Sequence, residues 1–267
     1  MEGGDESVFE HREAYCVPST LDGGSADWLP DRVRKWDTMP PDGRILEDDT
    51  WKEELRGEAE ATDSTTETVT QRKGDEVLNA HCNCKGVSFT IRRPDWDSAA
   101  FREEFPDFII PPTDPAQRDF MTDVKNGTWW FPADHSKYRA SACLCTSCRL
   151  SSGAELHAWS FIPTCFITLP SGEPFTPHFG TIKHYESSPN VWRRFCGVCG
   201  AIVFWQDMVA RPGIIDVAVG VLDAEEGSRA EWWLSWAKRE PSYKGDAVNK
   251  RLEGELCEGY MRWVMKT

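Results

Sequence analysis

The 267-residue chain has no run of roughly 18 apolar residues, the length a membrane-crossing helix needs, so it is not expected at a membrane. Its first residues, Met1-Glu2-Gly3-Gly4-Asp5-Glu6, lack the basic-then-apolar order of a secretory signal, and an intracellular, cytoplasmic protein is expected. Positive charge is also scarce: 30 Lys and Arg face 44 Asp and Glu, a net charge of −14 with a pI near 4.9. Such a balance repels phosphate backbones, so nucleic acid is not an expected partner. The deficit is local. Residues 1–75 hold 20 acidic against 9 basic side chains, whereas the remainder is close to balance at 24 against 21.

What the chain does have is a globular composition, 40% hydrophobic and 12% aromatic, and ten cysteines. Seven cysteines fall in three tight groups: Cys82 and Cys84, then Cys143, Cys145 and Cys148, then Cys196 and Cys199. A disulfide framework would scatter them. With no secretory signal, such spacing reads as metal ligation. Cys16, Cys165 and Cys257 stand alone and read as small buried hydrophobes or free thiols.

The run Cys143-Leu144-Cys145-Thr146-Ser147-Cys148 can wrap one soft metal ion, since thiolates are short anionic ligands and the small Thr146 and Ser147 permit a tight turn. Three ligands leave one tetrahedral position open, the mark of a catalytic zinc. Cys82 with Cys84, and Cys196 with Cys199, each lack two ligands. Together they close one four-thiolate structural site, with Gly197 and Gly200 suiting the positive-φ knuckle around it.

Along the chain, residues 1–75 read as an acidic extension, partly disordered around 59–70, with a short helix expected over 48–56 and Trp28, Trp36 and Trp51 docking part of it on the core. Alternation of Val87, Phe89 and Ile91 predicts a half-buried strand after Cys84. Residues 94–127, rich in Pro and Asp, read as an irregular insertion with one packed aromatic face. Thr128-Trp129-Trp130-Phe131 is expected to return to strand and deliver residues 138–142 to the cysteine turn. Short strands follow over 156–162, 165–169, 181–185, 191–196, 201–205 and 214–221. The tryptophans of Glu231-Trp232-Trp233-Leu234-Ser235-Trp236 read as core or as pocket lining. Val248, Leu252, Leu256 and Tyr260, joined by Trp263 and Val264, predict a C-terminal helix packed on the core.

These motifs carry a resemblance. Cys82-Asn83-Cys84-Lys85-Gly86-Val87, the central run through Arg149 with Ser152-Gly153, Tyr185-Glu186-Ser187-Ser188-Pro189, Arg194-Phe195-Cys196-Gly197-Val198-Cys199-Gly200 and Asp216-Val217-Ala218-Val219-Gly220-Val221-Leu222-Asp223 occur in one order. In types and order they resemble the glutathione-dependent formaldehyde-activating enzyme family, which includes centromere protein V, and most closely its longer fungal type. The resemblance spans about 78–240. It implies a mainly β, Mss4-like zinc-binding fold. With the elements read above, the expected architecture is one of short antiparallel strands in a zinc-binding domain over 76–240, carrying the insertion at 94–127, and a C-terminal helix over 241–267. It also implies two zinc ions per chain, one structural on Cys82, Cys84, Cys196 and Cys199, one catalytic on Cys143, Cys145 and Cys148. The family reaction adds the thiol of glutathione to formaldehyde. The chain departs from the family in the long gap between Cys84 and Cys143 and in its acidic extension.

Arg149 and Arg194, adjacent to the motifs, are candidates to hold an anionic substrate such as a glutathione carboxylate, or else form ion pairs. His157 and His184 are candidates for a general base or a fourth metal ligand, with a hydrogen-bonded structural role as the alternative; His81 is expected to point away from the adjacent metal. Ser187, Ser188 and Pro189 form a pocket rim or a turn. The expected function is a zinc-dependent carbon–sulfur lyase-type enzyme acting on a small molecule, with glutathione as candidate co-substrate. The alternative is a non-catalytic zinc module that binds protein, favoured if a fourth protein ligand closes the second site.

Overall fold

The computed structural model describes residues 13–14, 20–22, 24–29, 33–35, 76–108, 129–132 and 134–267. The helix expected at 48–56, the 59–70 stretch, Cys16, Trp36, Trp51, Thr128 and residues 109–127 lie outside these.

The protein is mainly β. Strands β1 (Glu13–Ala14) and β2 (Arg34–Lys35) pair with each other. Strands β3 (Val77–His81), β4 (Ser88–Arg92), β7 (Ile167–Thr168) and β12 (Leu222–Asp223) form an antiparallel sheet of four, ordered β12-β3-β4-β7. Its inner face is set by the alternation legible in the sequence: Leu78, Ala80, Phe89 and Ile91 are buried between exposed or half-buried neighbours.

The larger sheet has seven strands in the order β13-β5-β6-β11-β10-β9-β8. These are β5 (Tyr138–Cys143), β6 (His157–Pro163), β8 (Ile182–Ser188), β9 (Val191–Cys196), β10 (Ile202–Asp207), β11 (Ile214–Ala218) and β13 (Leu234–Trp236). All pairings are antiparallel except β13 with β5. Every residue of β5 and of β11 is buried, which places these strands in the centre of the molecule.

After β13 the chain stays on the outer edge of β5. Ala237 N–H donates to Ala140 O, Ser242 N–H to Ala142 O and Leu144 N–H to Ser242 O, at 2.8–2.9 Å. This hides a strand edge that would otherwise present unpaired backbone groups. It also carries residues 242–246 alongside the central cysteines.

Among the described residues, three α-helices flank the sheets: α1 (Ala99–Glu104), α2 (Thr146–Ser152) and α3 (Lys250–Val264). Ser98 caps α1, and Phe101 stacks on Phe166 among Trp96, Phe105, Phe108, Trp130 and Phe131. The described part of the 94–127 insertion therefore has the packed aromatic face expected of it. Residues 129–131 form a turn rather than the expected strand, because Trp130 and Phe131 pack into this aromatic cluster instead of pairing with a sheet.

Helix α3 buries Leu252, Leu256, Tyr260 and Val264, and Asn249 caps it by accepting from Leu252 N–H at 3.0 Å. Val248, counted in the apolar stripe, lies before the helix and is exposed. Against α3 sits the 3₁₀ segment Gly24–Trp28. Trp28, 1% exposed, has its ring centroid 5.2–5.5 Å from those of Trp236, Tyr260 and Trp263. Trp233 and Trp236 are buried in the core whereas Trp232 is exposed, and none of the three lines the cavity described below.

Candidate metal centre

The first cluster joins two distant turns. Cys82 and Cys84 follow β3, Cys196 ends β9 and Cys199 lies in the turn beyond it. The four Sγ atoms lie within 4.8 Å of one another, with Cys82 to Cys84 at 3.6 Å and Cys84 to Cys196 at 3.5 Å. These are contact distances, well beyond the roughly 2.05 Å of a disulfide. Backbone N–H groups converge on the sulfurs: Val87 on Cys82 at 3.3 Å, and Val198 and Cys199 on Cys196 at 3.4 and 3.5 Å. Gly200 has φ +77°, as a cysteine knuckle requires; Gly197 does not, and is needed because a Cβ there would come within 2.7 Å of the Lys183 side chain.

The second cluster is a strand-to-helix junction. Cys143 ends β5, Cys145 is the N-cap of α2 and Cys148 lies in its first turn. The expected tight turn at Thr146 and Ser147 is thus the start of a helix. Cys145 Sγ accepts from Cys148 N–H at 3.3 Å, filling the capping role usually taken by a hydroxyl or carboxylate. Gly153, in the left-handed conformation, ends the helix. The three sulfurs lie within 4.8 Å of one another, and among the described residues no histidine or carboxylate joins them.

Cys148 Sγ also faces two donors, Trp159 Nε1 at 3.4 Å and Arg193 Nη2 at 3.7 Å. Arg193 Nη1 reaches Ser151 Oγ at 3.2 Å, and its buried Nε has no partner. Hydrogen bonds from Cys143 and Cys148 hold the Cys145 thiol far below the ordinary range, while the same contacts push Cys143 up. Cys145 is thus the thiol of the trio that is held as a thiolate, while Cys148, like Cys143, is raised. Both donor sets suit zinc, whose preferred environment is tetrahedral and thiolate-rich.

The trio opens on a cavity of about 730 Å³. One row across the large sheet forms much of its wall. Arg193 on β9 pairs with Trp205 on β10, Trp205 with Asp216 on β11, and Asp216 with Phe161 on β6. Directly opposed residues share a face, so these four side chains stand together. Trp159 and Ser141 form the next row toward Cys143. Trp129 closes one side, its ring edge-on to Phe161 at 4.7 Å. Between Trp129 and Trp205 lies the Arg211 guanidinium, 4.8 and 4.9 Å from the ring centroids, bound to Asp216 Oδ1 at 3.0 Å. Burial pushes the Asp216 carboxyl up to about 6 although Arg211 and Arg193 pull it down.

The expected substrate-holding arginines lie elsewhere. Arg149 does not line the cavity: it donates to Asp246 O at 3.1 Å and pairs with Glu155 at 3.7 Å, latching residues 242–246 onto α2. Arg194, on the opposite face of β9 from Arg193, is buried and donates to Gln206 Oε1 at 3.0 Å. Ser187 and Ser188 do line the cavity. His157 is opposite Cys143 on β6, its ring against Trp159 at 4.2 Å and its Nε2 unpartnered. Desolvation, then Arg193, lowers its pKa to about 4 and keeps it neutral. His184 is exposed, packed edge-on between His178 and Trp192. His81 faces Asp223 at 3.4 Å.

The sequence reading passed over Arg193, Arg211, Trp159 and Trp205, and took Asp216 only as part of a motif. One signal was present: Asp216 is the lone charge in the apolar run Ile214-Ile215-Asp216-Val217-Ala218.

Fold and site together define a mainly β protein with two cysteine clusters able to hold metal, one of them open to a cavity. Residues 130–237 match the model of the family described as "Glutathione-dependent formaldehyde-activating enzyme". The match includes the trio, Cys196 and Cys199, and begins after Cys82 and Cys84. No curated protein matches the chain.

Proposed function

We propose that the protein is a zinc-dependent enzyme of the carbon–sulfur lyase type, which adds a thiol of the glutathione class to an electrophilic carbon of a small molecule, or eliminates it. Cys143, Cys145 and Cys148 hold the catalytic zinc; Cys82, Cys84, Cys196 and Cys199 hold a structural one. The observation that carries this reading is the three-sulfur cluster facing the cavity, with no fourth protein ligand among the described residues. A closed fourth position would instead favour a protein-binding module.

Zinc, when bound, supplies Lewis acidity and favours the thiolate form of an incoming thiol. The chain's own groups do the rest. Three thiolates leave such a unit with a single negative charge, which weakens its acidity. Arg193 and the Trp159 N–H donate to Cys148 and draw charge off that sulfur. Asp216, with its carboxyl near 6, and Arg211 set one polar point in the aromatic side of the cavity. The aromatic walls exclude water around it.

The test is zinc per chain in the wild type and in Cys145→Ala, with glutathione titrated into both. Two zincs falling to one in a folded variant, with thiol binding lost, is the expected result. One zinc in the wild type, or two that persist in the variant without thiol binding, refutes it.

A further inference from the structure

The cavity is much larger than formaldehyde needs. A two-heavy-atom carbonyl compound occupies about two water volumes, roughly 60 Å³, against a cavity of about 730 Å³. One side of it is aromatic. Trp129, Phe161 and Trp205 enclose Arg211, Trp159 continues the surface to the cysteines, and the mouth carries Leu150 and Tyr243, which are 78% and 68% exposed. Large apolar side chains left in water at a cavity mouth mark contact with an apolar ligand.

Charge narrows the choice. Among the described residues that line the cavity, the cations are Arg193 and Arg211. Arg211 is neutralised by Asp216, and Arg193 faces the sulfur trio. The aromatic side is therefore balanced, with no free cation for a carboxylate or phosphate, while Ser141, Thr146, Ser187, Ser188 and Ser242 line the rest of the cavity. What the aromatic side offers is π-surface and one polar point within it, the Arg211 and Asp216 pair, which can both donate to and accept from a ligand oxygen.

Resting on the metal-dependent thiol addition above, we infer that the electrophile is a planar aryl carbonyl compound bearing an oxygen on its ring system. The ring system lies against Trp129, Trp205 and Phe161, the ring oxygen meets Arg211 and Asp216, and the carbonyl carbon reaches the trio. The thiol adds across the C=O bond: a C–S bond forms, the carbonyl π pair moves to oxygen, and that oxygen takes the thiol proton. Nothing is oxidised or reduced.

The experiment is calorimetric titration of the zinc-loaded full chain with 6-hydroxy-2-acetonaphthone, 2-acetonaphthone and 2-butanone, a carbonyl compound without rings. The expected result is binding of the hydroxylated arene at least tenfold tighter than of butanone. Trp129→Leu and Trp205→Leu each weaken it at least fivefold with zinc content unchanged, and Asp216→Asn removes the advantage of the hydroxyl. Equal binding of arene and butanone, or arene binding indifferent to both tryptophans, overturns the inference. Should the tryptophan variants fail to fold, the wild-type comparison of arene with butanone decides alone. The two proposals fail separately. Thiol addition to formaldehyde without arene binding refutes the aryl slot and keeps the enzyme; arene binding without thiol addition to any carbonyl refutes the enzyme and keeps the slot.

Discussion

Arg193 Nη2 lies 3.7 Å from Cys148 Sγ, so a buried guanidinium directly faces the sulfur trio. The next residue, Arg194, is equally buried but faces Gln206 on the other side of the sheet. Neighbouring residues of one strand thus divide into a charge at the cavity and a charge in the core.

This division predicts opposite consequences for the two. Arg193→Met is expected to lower turnover at least tenfold, the loss of one charge-assisted contact of about 1.5–3 kcal/mol, with zinc content retained. Arg194→Met is expected to leave turnover within twofold, since Arg194 does not line the cavity, and to cost stability because the buried Gln206 oxygen loses its donor. Steady-state rates and zinc per chain on both variants check the pair.

Asp216 predicts a pH dependence. Its folded pKa is raised by burial to about 6, above the ordinary 3.8. The stabilisation from its protonated form is therefore complete below the unfolded value and is lost as pH rises through about 6. Wild type should gain stability relative to Asp216→Asn as pH falls from 7 to 4. Denaturant melts of both proteins across that range measure this.

The four-thiol cluster ties the turn after β3 to the turn after β9, so it should act on folding rather than on chemistry. Cys84→Ser is expected to lower zinc from two to one and to cut the melting temperature by about 10 °C or more, given the several kcal/mol that a structural zinc contributes. Differential scanning calorimetry with and without a chelator is the readout; a chelator should do little further harm to the variant.

Trp28 predicts that part of the N-terminal region is integral to the core. Trp28→Ala removes an indole buried among Trp236, Tyr260 and Trp263 and should cost about 3–5 kcal/mol. Urea unfolding of the full chain tests it, and a change below about 1 kcal/mol would contradict the packing.

The cysteine clusters were legible in the sequence because ligand spacing is local. A C-x-C or C-x-x-C is complete within one turn, and counting missing ligands joins Cys82 and Cys84 to Cys196 and Cys199 without a fold. Strand β9 was legible to the residue, as was the inner face of β4 through Val87, Phe89 and Ile91. The cavity was not legible, because it depends on strand parity and register. Arg193 and Arg194 are chemically identical, and only the pairing of β9 with β10 and β8 says which one faces the trio. The aromatic run at 129–131 resembles a strand in composition; packing against α1 overrides that preference. The parallel pairing of β13 with β5 left no local mark at all.

The trio and the aromatic walls are anchored to different parts of the backbone. The cysteines are fixed by the β5 to α2 junction, by the capping sulfur of Cys145 and by the helix end at Gly153. The walls ride on β6, β10, β11 and the turn at Trp129. A reactive centre and its selectivity filter that share no segment can diverge independently. Exchanging residues at positions 129, 161 and 205 would reshape the cavity while leaving the segments that hold the sulfur trio unchanged.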